Sequence, residues 1–347
     1  MQRVIVSGGG VSGGAVSVVA AEVPRPGPGE VLVRTAVAGV CGSDTHALAG
    51  SHPFIELPYA PGHEVCGTVE AVGPSVTAVT VGQRVTLEPF LPCWACKQCR
   101  AGRQNICERL RFFGCAHDQG GMADLFTIDQ RRLHVIPDGL DWRTAAFIEP
   151  LGTPVHAIGL AGGVRDKAVA ILGAGTIGIL MVQAARAGGA TRVVMTARSA
   201  ASRERALSFG ADAAIDATSP SAADDVRDAL GESADVAFDC VAEQSTSDQA
   251  MAMVMKGGTV VVVGVPPADV TIPLPLIQDA QLRIQGSATY LPADFTEAMR
   301  LLESGAVDVS GMVTAVHPLA DAATAFADAS SGRHLKVLLS AVGSGRL

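Results

Sequence analysis

Lys167 to Gly189 reads KAVAILGAGTIGILMVQAARAGG: an apolar strand, a glycine turn and an apolar helix in one run. Gly173, Gly175 and Gly178 are spaced G-x-G-x-x-G, and the flanking strand and helix are the context such a turn needs. Gly173 permits the tight turn, Gly175 lets a backbone approach a pyrophosphate, and Gly178 allows close helix–strand packing. The helix N-terminus then faces the anion. Ala174, Thr176 and Ile177 complete the predicted dinucleotide-contacting turn. The uncharged stretch Ala168–Ala185 has the length to span a bilayer, but its glycines stand where a phosphate turn needs them, so it reads as soluble structure.

Downstream the alternation continues. TRVVMTA, DVAFDCVA and GTVVVVGV read as strands, with SRERALSFG a helix between the first two. Strands alternating with helices predict a parallel, doubly wound sheet. Upstream, from Glu30 to Asp129, short β-rich runs such as EVLVRTAVAGV, CGTVEAVG and GQRVTLEP are broken by Gly and Pro. They predict a mostly antiparallel β domain with long loops. After Ser287 come a helix, DFTEAMRLLESG, and a closing strand, HLKVLLSA, placed to pair back onto the first domain. The expected class is α/β, with residues 1–154 and 289–347 forming one domain and 155–288 the other.

The 347 residues fit two domains, and 17% charged residues against 48% hydrophobic ones describe a globular chain. A net charge of −8 with scattered basic residues argues against nucleic acid and anionic membranes as partners. The run Val4–Ala21 is interrupted by Gly8, Gly9, Gly10, Gly13 and Gly14, a poor signal-peptide core, and a cytoplasmic location is expected.

The strand after the glycine turn ends RVVMTARSAASRER, Arg192–Arg205. An acid belongs about twenty residues past the turn if the ribose 2′-hydroxyl of NAD is to be bound. Ala197 stands there instead, followed by Arg198 and Ser199, with Arg203 nearby. Losing the carboxylate removes repulsion, and arginine offers charge-assisted bonds to a 2′-phosphate. NADP is therefore expected over NAD.

Half of the eight cysteines sit in CWACKQCRAGRQNIC, where Cys93, Cys96, Cys99 and Cys107 follow C-x2-C-x2-C-x7-C. Four thiolates on such a loop suit a closed tetrahedral zinc site, which would be structural. An iron–sulfur cluster is the rival, because the ferredoxin run begins with the same spacing. That run continues with a three-residue gap and a Cys-Pro, whereas here the gap is seven and Glu108 follows.

Cys41 lies in GVCGSDTHALAG, His63 in YAPGHEVCGTVEAVG and Glu149 in FIEPLGTPVHA. A cysteine, a histidine and a carboxylate form a plausible set for a catalytic zinc with one position left for water or substrate. Singly, each residue is equally an inert core thiol, a satisfied histidine or a surface acid.

Taken together, GHEVCGTVEAVG, CGSDTH, the four-cysteine loop and GAGTIG resemble the zinc-dependent medium-chain alcohol dehydrogenases, most closely the sorbitol (polyol) and threonine dehydrogenase branch. The resemblance covers nearly the whole chain. It implies a GroES-like catalytic domain, a Rossmann domain, and a catalytic zinc held by Cys41, His63 and a glutamate, either Glu64 or Glu149. The four-cysteine loop would hold a second zinc, making two per chain. Zinc in this family lowers the alcohol's pKa, and hydride passes to the nicotinamide. Ser43 and His46 match the family's proton-relay positions, and Glu64 joins them as a catalytic residue. Thr153 and VGVPP, Val263–Pro267, match positions near the nicotinamide, with Val263, Gly264 and Val265 as contacts. The implied partners are a small alcohol or ketone substrate, a polyol or sugar-like one being the family's type, and further copies of the chain in a homodimer or homotetramer. A zinc-free quinone or enoyl reductase, or a non-catalytic relative, is the alternative.

Two departures bear on substrate. Sorbitol dehydrogenases carry a tyrosine just after the relay histidine, where Ala47 stands here. They also carry an arginine before a tyrosine late in the chain, where this chain has Thr289 before Tyr290. Phe90, Phe112 and Phe113 are open to two readings, pocket wall or core.

Overall fold

The computed structural model describes residues 1–8, 14–115, 117–266 and 268–341. Gly9, Gly10 and Gly13 of the glycine-rich start, and Pro267 at the end of VGVPP, lie outside them. The chain divides into two compact units, Met1–Pro150 with Val309–Leu347, and Leu151–Asp308.

In the first unit the uncharged N-terminal run folds as a hairpin of β1 (Gln2–Gly8) and β2 (Gly14–Ala20). Next come β3 (Glu30–Val40), the short helix α1 (Gly42–Leu48), β4 (Glu64–Val72) and β5 (Arg84–Leu87). The four-cysteine stretch lies between β6 (Phe90–Leu91) and β7 (Arg111–Phe112), and contains α2 (Lys97–Arg100). Then follow β8 (Leu125–Asp129), β9 (Leu133–Val135) and α3 (Trp142–Ala145), and the first residues of α4 (Ile148–Leu160), most of which belongs to the second unit.

The second unit alternates as the sequence predicts. Its strands are β10 (Ala168–Leu172), β11 (Arg192–Ala197), β12 (Ala213–Asp216), β13 (Ala234–Asp239), β14 (Val254–Val262) and β15 (Arg283–Gly286). The helices are α5 (Thr176–Ala187), α6 (Ala200–Ser208), α7 (Ala222–Leu230), α8 (Gln244–Met253), α9 (Leu274–Asp279) and α10 (Pro292–Glu303). The chain then returns to the first unit with β16 (Val313–Pro318), α11 (Ala322–Ser330) and β17 (Lys336–Ser340).

The second unit is a six-stranded sheet in the order β12-β11-β10-β13-β14-β15, every pair parallel. β10 is buried along its whole length, as a central parallel strand must be, which is why AVAIL shows no polar alternation. The span-length run Ala168–Ala185 is thus a strand, a turn and most of a helix, and no helix among the described residues is long and apolar enough to cross a membrane. In the first unit a seven-stranded sheet runs β16-β17-β3-β4-β5-β9, with β8 also on β3. β17 does pair antiparallel with β3, Leu338 facing Gly39. Val33, Val65, Val85, Phe126 and Leu339 are among the residues of its core.

The return to the first unit comes at Val309, later than the expected residue 289. Residues 289–308 pack on the second unit's own helices, so they stay with it. His156 Nδ1 meets Asp294 Oδ2 at 2.8 Å, and the Asp308 N–H donates to Gln183 Oε1 at 2.7 Å. Tyr290 is 2% exposed and packs on Phe295, its ring so close to Gly152 that a Cβ there would stand 3.1 Å away. The departure at Thr289–Tyr290 therefore falls against a core tyrosine. Ala47 is core too, at 1% exposure, as are Phe90 and Phe113.

Candidate metal centres and dinucleotide turn

The four-cysteine loop folds around its own sulfurs. Their ligand atoms all lie within 4.8 Å of one another, with Cys96 Sγ 3.5 Å from Cys99 Sγ and 3.9 Å from Cys107 Sγ. Backbone N–H groups of Cys93 and Arg109 donate to Cys107 Sγ, each at 3.3 Å. Among the described residues the loop's local core is Cys96, Cys99 and Cys107, with Cys93 and Leu110 as the partly buried hydrophobic residues packed against it. The Ala95 N–H, helped by Arg109 and opposed by desolvation, holds the Cys93 thiol down at about 6, while burial and then the neighbouring sulfurs push Cys99 up to about 12. Sulfurs this close cannot all ionise without a cation among them, and a dication removes that conflict. The residues fit a closed thiolate metal site.

The second group assembles at one end of the β3–β4 pair. In their antiparallel register Gly39 faces Glu64, which brings Cys41, just beyond β3, alongside His63, just before β4. Ligand atoms of Cys41, His63 and Glu64 lie within 4.8 Å of one another. Cys41 caps α1, and its N–H donates to Asp44 Oδ2 at 3.0 Å. Asp44 is fully buried and accepts from the Tyr59 hydroxyl at 3.0 Å. Burial disfavours the charged form of His63, but the sulfurs of Cys115 and Cys41 and the Asp44 carboxylate outweigh it and hold it well above the usual imidazole range. The surroundings attract a cation. Glu149, 7% exposed at the start of α4, does not belong to this three-residue group. Ser43 and His46 follow on α1, Ser43 partly buried and His46 exposed. Phe112 packs edge-on against the His63 ring at 5.9 Å, which separates it from the two core phenylalanines.

Three residues here escaped the sequence reading. Cys115 Sγ lies 3.3 Å from His63 Nδ1, and both are buried. Gly39 leaves the space that Glu64 fills, since a Cβ there would stand 2.0 Å from Glu64 Oε2. Lys336, in the wholly buried strand β17, donates to both oxygens of Glu64 at 2.8 and 2.6 Å. Burial works against its ammonium, yet Glu64 first and then Cys41 raise it above the ordinary lysine value. A lysine inside HLKVLLSA was the one available signal, because a charge in a buried strand needs a partner.

In the second unit the glycine turn is built as its spacing predicts. Gly173 has φ +96°, and a Cβ on Gly178 would stand 1.8 Å from the Gly173 carbonyl oxygen. Gly175 caps α5 without a side chain, and a Cβ there would meet open space, the room a pyrophosphate needs. A Cβ on Gly264 would stand 2.7 Å from the Val241 carbonyl carbon, and Val263 is buried while Val265 is 39% exposed. Thr153 lies partly buried in α4, within this unit.

Ala197 ends β11 and Arg198 is exposed beside it. Ser199 is taken up as the N-cap of α6, accepting from the Ser202 N–H at 3.1 Å. Arg203 is committed: its Nη1 donates to the carbonyls of Ala197 and Arg198 at 3.1 and 2.9 Å and pairs with Asp216 at 3.1 Å. Asp216, register partner of Ala197 on β12, also accepts from the Thr218 N–H and hydroxyl, which with Arg203 hold it below the usual carboxylate range.

A doubly wound sheet with a glycine turn, in one chain with an antiparallel sheet bearing a four-thiol loop and a Cys-His-carboxylate group, defines a nucleotide-using metallodehydrogenase. Comparison with known proteins narrows the class. The family model "Alcohol dehydrogenase GroES-like domain" matches residues 27–138, and "Zinc-binding dehydrogenase" matches 176–304. Among curated relatives, D-xylulose reductase A of Aspergillus niger is 30% identical over 91% of this chain and 91% of its own. L-galactonate-5-dehydrogenase of Escherichia coli is 32% identical over 88% and 89%. A solved chain assigned as a zinc-binding dehydrogenase of Sinorhizobium meliloti, bound to NADP, superposes with a TM-score of 0.88 at 34% identity, covering 98% of this chain and 99% of that one. L-idonate 5-dehydrogenase of E. coli gives 0.87 at 28% identity, over 98% and 97%. The chain belongs to the zinc-dependent medium-chain alcohol dehydrogenases, and it is an oxidoreductase.

Proposed function

We propose that this chain interconverts a polyhydroxylated secondary alcohol and its ketone, with NADP(H) preferred over NAD(H) and two zinc ions per chain. The observation that carries the reading is the convergence of a partly buried Cys41 with buried His63 and Glu64 in one group. Cys41, His63 and a glutamate would hold the catalytic zinc, and Cys93, Cys96, Cys99 and Cys107 the structural one. When bound, zinc supplies Lewis acidity at the alcohol oxygen and the nicotinamide takes the hydride.

The chain's own residues supply the rest. Ser43 and His46, on successive turns of α1, offer the released proton a route outward from the cysteine end of that helix. The glycine turn and the start of α5 receive the pyrophosphate. Ala197 removes the acid that would repel a 2′-phosphate, and the Sinorhizobium relative binds NADP with the same fold. The xylulose, galactonate and idonate enzymes support a polyhydroxylated substrate. Family resemblance further supports a cytoplasmic homodimer or homotetramer.

The test is a panel of polyols, sugar acids and simple secondary alcohols assayed with both cofactors, alongside metal analysis of the purified chain. Oxidation of a polyhydroxylated alcohol, faster with NADP and accompanied by two zincs, is expected. Alkene or quinone reduction by a chain with one zinc or none would overturn the reading.

A further inference from the structure

The strand end that would meet the ribose has no acid of its own, but the strand beside it has one. β12 runs parallel to β11 in the six-stranded sheet, and Ala197 faces Asp216 in their register. Neighbouring strands lie about 4.8 Å apart, so Asp216 stands one strand away from the place where an acid would bind the 2′-hydroxyl. Its side chain is 41% exposed. Oδ1 accepts from the Thr218 N–H at 2.9 Å and from the Thr218 hydroxyl at 2.7 Å. Those bonds first, and then Arg203, hold the carboxyl below the usual carboxylate range, so it stays charged.

Asp216 also takes up a cation. Arg203 is the fourth residue of α6, where the helix N-terminus and a guanidinium would both attract a phosphate. Its Nη1 is instead turned onto Asp216 Oδ2 at 3.1 Å and onto the carbonyls of Ala197 and Arg198. The charge of Arg203 is thereby compensated, whereas the exposed Arg198 makes no ion pair among the described residues. Two arginines without the acid would hold a 2′-phosphate more tightly. We infer that Asp216 is a specificity-determining residue of the dinucleotide site: from the neighbouring strand it neutralises Arg203 and repels a 2′-phosphate, which limits the preference for NADP(H) and leaves NAD(H) a usable cofactor. The inference rests on the NADP reading above for the place of the 2′-phosphate.

The test needs no substrate. The purified holoenzyme is titrated with NADPH and with NADH, each followed by its fluorescence, and the two Kd values give the ratio. Asp216→Asn keeps Oδ1, which takes both Thr218 bonds, and replaces Oδ2, which meets Arg203, by an amide that can only donate. It should tighten NADPH binding by roughly tenfold, the effect of one partly screened like charge beside a phosphate, and leave NADH within about twofold. Arg203→Met leaves the acid unpaired and should weaken NADPH by a similar factor. Asp216→Glu should keep the wild-type ratio, and Arg203→Met combined with Asp216→Asn should bring the ratio back towards it.

An Asp216→Asn chain in which both affinities change by the same factor would make Asp216 a structural residue and overturn the inference. So would one with unchanged or weaker NADPH binding. If Asp216→Asn does not fold, Arg203→Met decides: the inference stands if NADPH alone is weakened and falls otherwise. A wild type that binds NADH more tightly than NADPH would instead break the NADP reading, while the change in ratio on Asp216→Asn still tests the charge.

Discussion

At the scale of single residues the chemistry turns on exchanges of one charge. Ala197 neither accepts from a 2′-hydroxyl nor repels a 2′-phosphate, and Arg198 is exposed next to it. A charge-assisted phosphate contact contributes on the order of 1.5–3 kcal/mol, roughly ten- to hundredfold in preference. Ala197→Asp combined with Arg198→Ala should therefore move the ratio of kcat/KM towards NAD by at least about tenfold. A wild type that already prefers NAD would show that Arg198 faces solvent in the complex. Arg203 enters differently, because Asp216 and two carbonyls already hold its Nη1. Cys115 is a second residue-scale case. A ligating imidazole is oriented by the partner of its other nitrogen, and Cys115 lies 3.3 Å from His63 Nδ1. Cys115→Ala should weaken catalytic zinc binding by roughly 10–100-fold in a chelator titration, leaving the four-thiol site unchanged.

At the scale of elements, the glycine turn and the four-thiol loop are each built from one short piece of chain, and both were legible for that reason. Spacing alone states which atoms meet when they lie a few residues apart. Gly178 is the tightest point, 1.8 Å between a would-be Cβ and the Gly173 oxygen. That oxygen is backbone and cannot step aside as a flexible side chain would. Gly178→Ala should cost roughly 1–3 kcal/mol or more in urea unfolding and abolish NADPH binding measured by fluorescence. Among the described residues the thiol loop's local core is little more than its own sulfurs, so the proposed metal would take the place of an apolar core. Cys99→Ser should lower the Tm and remove one zinc, while turnover per folded molecule stays close to wild type. A variant that keeps both zincs and the wild-type Tm would contradict this assignment. The return point was not legible: the chain's texture changes near residue 289, but the packing of Tyr290, Asp294 and Asp308 on the second unit's helices carries it to Val309.

For the whole molecule, the two proposed metals differ in coordination, and chelation should separate them. The group proposed for catalysis offers three protein ligands, which would leave one position of a bound zinc open, whereas the four cysteines would close the other site. Chelator titration should first remove one zinc with loss of activity and unchanged Tm, then the second with a fall in Tm. Simultaneous loss would show that the two sites are not independent. The sequence by itself determined the fold class, the glycine turn and the four-cysteine loop, which are declared by residue types at short spacings, whereas Cys41, His63 and the two glutamates were singled out by the family resemblance of the motifs around them. Only the tertiary structure decided that Phe90, Phe113 and Tyr290 are core, that Asp216 closes on Arg203, and that Lys336 meets Glu64 in the slot left by Gly39. Those meetings depend on strand register and on packing between distant segments. A charge 272 residues away leaves no local pattern to read until the strand that carries it is in the sheet.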